Sequence, residues 1–282
     1  MTDLVTTAPV PFSWDKDDWT PLRDMAEGFD EYRPPPSSAL VGQTLTMRCR
    51  VPGVAGTEHT LEHGFGPQEL RWTVHEGDRT RRGSAPYELF EMQPGLFFLH
   101  YLRSGEGHPV AVTLAVDTLA GQVTGAVGEL GLGPDPHRAR QEWFQGHVVG
   151  IDATPADAHL PTTELVGRRI RYAYSSDDVY DHVYLNDQLF TWLCVGGAEA
   201  GLGDTDRCTA WKLRDKTYLF SWLEKNIGVE GMVLIDLAAL RTVGIQFGLD
   251  QRDGGLVNIT MGAYAVDLGQ VPGVEVCRPS PR

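Results

Sequence analysis

LVGQTLTMRC, from Leu40 to Cys49, and LVGRRIRYAY, from Leu165 to Tyr174, open alike and run on into extended segments. If they are one element written twice, the chain is a tandem duplication, and the remaining sequence agrees in order. QELRWTV at Gln68 aligns with QLFTWLC at Gln188, and FLHYL at Phe98 with LFSWL at Leu219. VAVTLAVDTLAGQVTG at Val110 aligns with GMVLIDLAALRTVG at Gly231, each with an Asp before a turn, and GHVVGID at Gly146 with NITMGAYAVD at Asn258. Each half carries about eight short runs rich in β-branched and aromatic residues, separated by Gly, Asp, Asn and Pro at hairpin spacing. An antiparallel sheet of that size curls on itself and closes around room for one small ligand. The expectation is an all-β protein of two tandem antiparallel β-barrels.

The boundaries follow from composition. Residues 1–39, with PPP at Pro34 to Pro36, read as an irregular lead-in on the surface, 40–152 as the first barrel, 153–164 as a linker and 165–282 as the second barrel. ELGLGPDPHRARQEWFQ, from Glu129, interrupts the strand pattern and reads as a loop or one short helix near Arg138 to Trp143. The 24 basic against 38 acidic residues leave a formal charge of −14, which repels phosphate backbones and anionic membranes, so neither nucleic acid nor membrane is an expected partner. MTDLVTTAPVPFSWDKDDW lacks the basic-then-apolar order of a secretion signal, and no later run is apolar long enough to span a bilayer. The expected location is cytoplasmic.

Alternation sorts the side chains of the second half. Ile170, Tyr172 and Tyr174 share one face, as do Tyr180, His182 and Tyr184, then Phe190, Trp192 and Cys194. The same rule groups Arg207, Thr209 and Trp211, and then Tyr218, Phe220 and Trp222, the last row ending in Glu224. Buried aromatics alone are ordinary core. Hydroxyls, an imidazole and a carboxylate on inward faces are not, because each needs a partner or a polar ligand. A carboxyl enclosed by rings has its pKa raised toward the range useful for proton transfer at neutral pH. The competing readings of Glu224 are that the strand has already left the barrel there, or that the residue pairs with Arg207 or Lys225.

On these segments, LVGRRIRYAY, VYDHVYLND, FTWLC and KTYLFSWLEKNIGVEGMVLIDLAALRTVGIQFG, the second half resembles the C-terminal domain of MoaF-type proteins, named for molybdenum cofactor biosynthesis, and the first half resembles the N-terminal domain. The resemblance spans Leu40 to the C-terminus and implies lipocalin-like, or calycin, barrels. No cysteine cluster, phosphate-cradling glycine loop or basic pocket points to a pterin or molybdate site. More distantly, the order Y-x-Y, Y-x-N, S-W-x-E is similar to phenolic acid decarboxylases, also lipocalin-like. That likeness implies a tyrosine pair on the substrate carboxylate, Tyr172 and Tyr174, and an acid/base glutamate, Glu224. The family's third-strand arginine falls on Trp192, leaving Arg207 as the one replacement in reach. In the first half Met47 and Cys49 stand at the tyrosine positions and Arg103 at that of the glutamate, so that half is expected to be structural or to supply a wall or lid.

Other motifs weigh less. His59 and His63 lie four apart in EHTLEH, but on a strand that spacing spans about 13 Å, too far for one ion. Asp204 and Asp206 in GLGDTDR read as solvated turn aspartates. The four cysteines, Cys49, Cys194, Cys208 and Cys277, show no zinc spacing, and no nucleotide fingerprint or nucleophile elbow occurs, so neither cofactor nor metal is expected.

The combined expectation is cofactor-free acid/base chemistry, a lyase, isomerase or cyclase reaction, on a small aromatic or conjugated carbonyl metabolite. Glu224, Tyr172, Tyr174 and His182 are the catalytic candidates, with Tyr184, Trp192, Arg207, Trp211 and Trp222 lining the site. The alternative is a non-catalytic calycin that carries a small hydrophobic molecule. A homodimer is compatible with either.

Overall fold

The computed structural model describes residues 19–51, 58–104, 109–131, 139–152 and 158–271. Eight strands, β1 (Thr44–Arg50), β2 (Glu58–Phe65), β3 (Glu69–Glu76), β4 (Arg79–Gln93), β5 (Leu96–Arg103), β6 (Val110–Asp117), β7 (Gln122–Leu130) and β8 (Ala139–Val148), pair in sequence order. Pairing of Met47 in β1 with Val148 in β8 closes them into a barrel. The second half repeats this with β10 (Arg168–Ala173), β11 (Val179–Tyr184), β12 (Leu189–Gly196), β13 (Gly203–Arg214), β14 (Thr217–Leu223), β15 (Val229–Asp236), β16 (Arg241–Leu249) and β17 (Leu256–Gln270). Here β10 meets β17, and Trp192 of β12 opposite Asp204 of β13 closes the ring. A two-residue strand, β9 (Leu160–Pro161), lies on the outer part of β13 beside Trp211. The protein is therefore an all-β pair of tandem antiparallel barrels, and among the described residues no helix is long and apolar enough to cross a membrane.

The duplication is visible in chemistry as well as in order. Asp117 at the end of β6 accepts from the backbone N–H groups of Leu119 and Ala120 at 3.0 and 2.8 Å, and Asp236 at the end of β15 does the same for Ala238 and Ala239 at 2.8 and 2.9 Å. Each aspartate-held turn is then gripped by the opposite barrel. Arg214 donates to Asp117 through Nε at 2.6 Å and Nη2 at 2.8 Å, and Gln93 donates to Asp236 at 2.8 Å. Gln93 ends the fourth strand of its barrel and Arg214 ends the fourth of the other, so the barrels meet about a pseudo-twofold relation.

That meeting explains why several strands fail to alternate. The outer faces of β4 to β7 and of β13 to β16 form one apolar cluster, with Phe90, Leu96, Phe98 and Ala126 against Trp211, Leu219, Leu234 and Ile245. A strand covered on both sides reads as a continuous apolar run, and every residue of β15 is buried. Trp143 of β8 stacks on Trp211 with centroids 5.9 Å apart. His100 joins the two barrels there, bonded to Thr113 of its own barrel at 2.8 Å and to Asn258 of the other at 2.9 Å, and burial lowers its pKa to about 4, leaving it neutral. Gly128 leaves room for Glu230 of the other barrel, since any side chain there collides with that carboxyl.

Glu230 gives the interface a pH dependence. Burial raises its pKa to about 8, with the neighbouring Gln141 amide working the other way, so between the unfolded value of 4.5 and about 8 folding takes up a proton. Its contribution is best below the unfolded pKa and worsens as pH rises through that window. Glu230→Gln is expected to match wild type in urea unfolding at pH 4.5 and to exceed it by on the order of 1–2 kcal/mol at pH 8.5. Parallel midpoints at both pH values would contradict this.

Three local expectations are corrected. The run from Arg138 to Trp143 is not a helix, for Ala139–Val148 pairs along β7 as the barrel's eighth strand, while residues 132–138 lie outside the described part. GLGDTDR is not a solvated turn, because β13 begins at Gly203 and Asp206 is buried. The lead-in is not a surface segment. Leu22 and Met25 of its α1 (Leu22–Met25), with Phe29, are buried in the core of the second barrel, while the other residues of the described part, 19–39, stay exposed or half-buried.

Candidate functional site

Directly opposed residues of antiparallel strands share a face, and the pairings set the inner wall of the second barrel. Tyr172 faces Tyr180, His182 faces Trp192, Tyr184 faces Phe190, and Trp222 faces Cys208. His182 sits at the centre of this wall, 4.8 Å from the Tyr172 ring, 5.1 Å from Phe190 and 5.9 Å from Trp222. Gly231 lets the Trp222 indole lie flat along β15, where any side chain would overlap the ring.

The wall encloses a cavity lined by Tyr174, Tyr180, His182, Trp192, Glu199 and Glu224, among others, with a free volume of about 30 Å³. That holds one or two waters, not a metabolite. The space is small because the lead-in fills it. The backbone N–H of Leu22 donates to Gln251 Oε1 at 2.9 Å and that of Arg23 to Asp250 Oδ2 at 3.1 Å, satisfying two donors at the start of α1. Arg23 adds a two-pronged pair to Asp253 at 2.9 and 3.0 Å. Gly28, with φ of 89°, then turns the chain, and Phe29 enters the mouth with its ring stacked on Tyr174 at 4.6 Å and edge-on to Tyr180 at 5.6 Å. Met25 lines the cavity beside it, and Trp19 covers Trp192 edge-on at 5.8 Å. The segment ahead of the first barrel thus plugs the second.

Acids gather at this mouth. Glu224, partly buried, accepts from Trp222 Nε1 at 3.3 Å. Desolvation, reinforced by the charges of Asp206 and Glu199, raises its pKa well above the ordinary carboxylate range. Glu199, in the β12–β13 loop, accepts from the Tyr180 hydroxyl at 3.0 Å, and burial raises it to about 7. Asp206 is raised by burial although it accepts from Trp192 Nε1 at 2.9 Å and from the Lys225 backbone at 3.0 Å. His182 is driven by burial to about 3, so it is neutral at physiological pH. His182 Nδ1 and Gln246 Oε1 are buried in the lining without a hydrogen-bond partner. Two carboxyls with different proton affinities, beside unpaired polar atoms in an aromatic space, suit proton transfer to a small conjugated molecule.

Of the residues singled out in the sequence, Glu224, Tyr174, His182, Trp192 and Trp222 line the cavity together. Tyr172 and Tyr184 lie deeper, their hydroxyls bonded to each other at 2.9 Å and absent from the lining. Arg207 and Trp211 require correction. Ala210 faces the inward Phe220 and Cys208 faces the inward Trp222, so the even-numbered residues of β13 point inside. Arg207 is exposed and Trp211 belongs to the barrel–barrel interface. Trp211 misled the alternation because the outer face is as apolar there as the inner one. The sequence reading missed Glu199, Asp206, Gln246, Met25 and Phe29. Asp206 was accessible through its even spacing from Cys208 and Ala210. Glu199 carries no periodic signal, since it lies in the loop GGAEAGLG.

Residues 159–271 match the model of the MoaF C-terminal domain, and residues 17–132 that of the MoaF N-terminal domain. A curated relative, Protein MoaF of Klebsiella aerogenes, is 32% identical over 219 residues, covering 72% of this chain and 81% of the relative. A Burkholderia vietnamiensis chain, whose crystal structure carries a provisional beta-lactamase label, aligns with a TM-score of 0.32 and 14% identity, covering 37% of this chain and 96% of that one.

Proposed function

Because the chain belongs to the MoaF family, whose name alone fixes no chemistry, we propose from the site itself that the second barrel performs cofactor-free proton transfer on a small aromatic or conjugated carbonyl metabolite. The supporting observation is Glu224 in the lining of an aromatic cavity, where burial and the charges of Asp206 and Glu199 push its carboxyl well above the ordinary range. Glu224 delivers the proton to the substrate's oxygen or carbon. Glu199, titrating near 7 beside Tyr180, accepts one on the same side of the mouth. Neutral His182 and Tyr174 orient the carbonyl oxygen, and Trp192, Trp222 and Phe190 hold the conjugated plane. Isomerisation, dehydration, cyclisation and decarboxylation all pass through an enol or enolate that such a set handles.

Among the described residues no lysine or arginine lines the cavity. Arg207 points to solvent and Trp192 Nε1 is committed to Asp206, so the arginine of phenolic acid decarboxylases has no counterpart in this lining, although Tyr174 of the tyrosine pair remains in it. A neutral substrate is favoured over an anionic one, and with it isomerisation, dehydration or cyclisation over decarboxylation of a carboxylate. Entry requires Met25 and Phe29 to swing away, and the substrate ring takes the place of the Phe29 ring against Tyr174. The closed state also favours a second reading, a carrier that buries its ligand under the plug without converting it. Among the described residues Cys49, Cys194 and Cys208 form no disulfide, as suits a reducing, cytoplasmic setting.

The test is tryptophan quenching of wild type and Glu224→Gln by a panel of aromatic enones, quinones and hydroxycinnamates and their neutral esters, with each mixture followed for turnover. Neutral members are expected to bind both proteins, and wild type alone to convert one of them, the variant losing about 100-fold or more in rate. Since Glu199 acts as base, the wild-type rate is expected to rise with pH through about 7. Binding by both without turnover by either would move the assignment to the carrier.

A further inference from the structure

The larger internal space of this protein lies in the first barrel. At the end of that barrel where β1, β3, β5 and β7 finish and β2, β4, β6 and β8 begin, a cavity of about 360 Å³ opens, within the range that holds a drug-sized or metabolite-sized ligand. Its floor and walls are Cys49, Leu61, Val74, Tyr101, Val112 and Phe144, all of them strand residues. The floor is uncharged. Burial raises the Cys49 thiol to about 12, and His63, which bonds the Tyr101 hydroxyl at 3.0 Å, is lowered by burial to about 3. The segments 52–57, 105–108 and 132–138 that join strands at this end lie outside the described residues and form no part of the site.

One cation stands apart at the mouth. Arg103, the last residue of β5, is half-buried with its guanidinium over the Trp72 ring at 5.6 Å. Among the described residues no carboxylate lies within ion-pairing distance of it. The acids around it are engaged by other bases: Glu76 by Arg81 and His59, and Glu129 by Arg140 at 2.7 Å, while Glu142 is exposed. Desolvation and the charge of Arg81 lower the pKa of Arg103, so the guanidinium gains from any anion brought to it. In the second barrel the aligned position is Glu224. The duplication has placed a guanidinium and a carboxyl at the same point of two mouths.

We propose that the first barrel is a second ligand site, for a small monocarboxylate with an apolar body, whose carboxylate binds Arg103 and whose body lies on Tyr101, Leu61, Val74, Val112 and Phe144. The opposite preferences keep the ligands of the two barrels distinct, a carboxylate here and a neutral carbonyl compound in the other. This site does not depend on the reading of the second barrel as an enzyme. Trp72 and Tyr101 flank the anchor and favour a flat or straight-chain body over a branched one.

The experiment is calorimetric titration of the full chain with octanoate, hydrocinnamate and the methyl esters of both. Wild type is expected to bind a carboxylate at least tenfold more tightly than its ester, the margin of one charge-assisted hydrogen-bonded pair. Arg103→Gln is expected to remove that preference, and Arg103→Lys to restore part of it. Val112→Trp fills the floor without touching the guanidinium and is expected to abolish carboxylate binding, while Glu224→Gln leaves it unchanged. Thermal melts of each variant establish that it is folded. Equal binding of acid and ester by wild type, undiminished binding by folded Arg103→Gln, or loss of binding in Glu224→Gln would overturn the assignment.

Discussion

Phe29→Ala is expected to lower stability by about 3 kcal/mol and to turn the second barrel into a receptor for benzene-sized rings. Phe29 is 3% exposed, stacked on Tyr174 and edge-on to Tyr180, and large-to-small changes at such positions cost about 3–5 kcal/mol. The lower end is expected because the site is at a mouth where Met25 can settle inward. The void left behind joins the existing 30 Å³ and is lined by rings with only a few polar atoms, a space that stays available to a small aromatic. Phenol and toluene are therefore expected to stabilise the variant in a dose-dependent way, by up to about 2.7 kcal/mol at a hundredfold excess over Kd, read as a rise in melting temperature, and to leave wild type unmoved. A variant that is destabilised yet indifferent to every ring would show that the mouth collapses on truncation and that Phe29 is core alone.

Arg214→Met is expected to cost about 3–5 kcal/mol in urea unfolding at pH 7, because it strands a charge. Asp117 is 0% exposed, and Arg214 supplies it with two hydrogen bonds from the other barrel. Burial alone pushes the Asp117 carboxyl up, and the arginine with two backbone N–H groups outweighs that and holds it low. In wild type this depressed pKa contributes stability above the unfolded carboxylate range, lost as pH falls through the folded value. Without Arg214 burial prevails and the carboxyl prefers its proton, so the penalty is expected to shrink between pH 7 and pH 4. The double variant Asp117→Asn, Arg214→Met is expected to recover most of the loss at pH 7. A single-variant cost below 1 kcal/mol, independent of pH, would mean that the two backbone donors suffice and the cross-barrel pair contributes little.

Both predictions concern contacts between distant parts of the chain, which is where the sequence is hardest to read. The strand runs, their order and the repeat were accessible because antiparallel hairpins are local and a period of two needs only neighbouring residues. The same rule put Tyr174, His182, Trp192 and Trp222 on one wall and gave Glu224 its aromatic row; the cross-strand pairs place His182, Trp192 and Trp222 so, and Tyr174 and Glu224 join them in the cavity lining. Periodicity says which residues share a face, not what that face meets. In β13 both faces are covered, so the bulk of Trp211 pointed to the wrong one.

The sequence by itself determined an all-β duplicated pair of barrels, the membership of most inner walls, and a carboxyl at the end of an aromatic strand. The tertiary structure alone decided that the barrels share a pseudo-symmetric interface, that Phe29 closes a barrel beginning well over a hundred residues later, and that a loop brings Glu199 beside Glu224. The physical reason is that hydrogen-bond register and alternation are set by adjacent residues, whereas burial and the resulting proton affinities are set by whatever packs across the remaining open face.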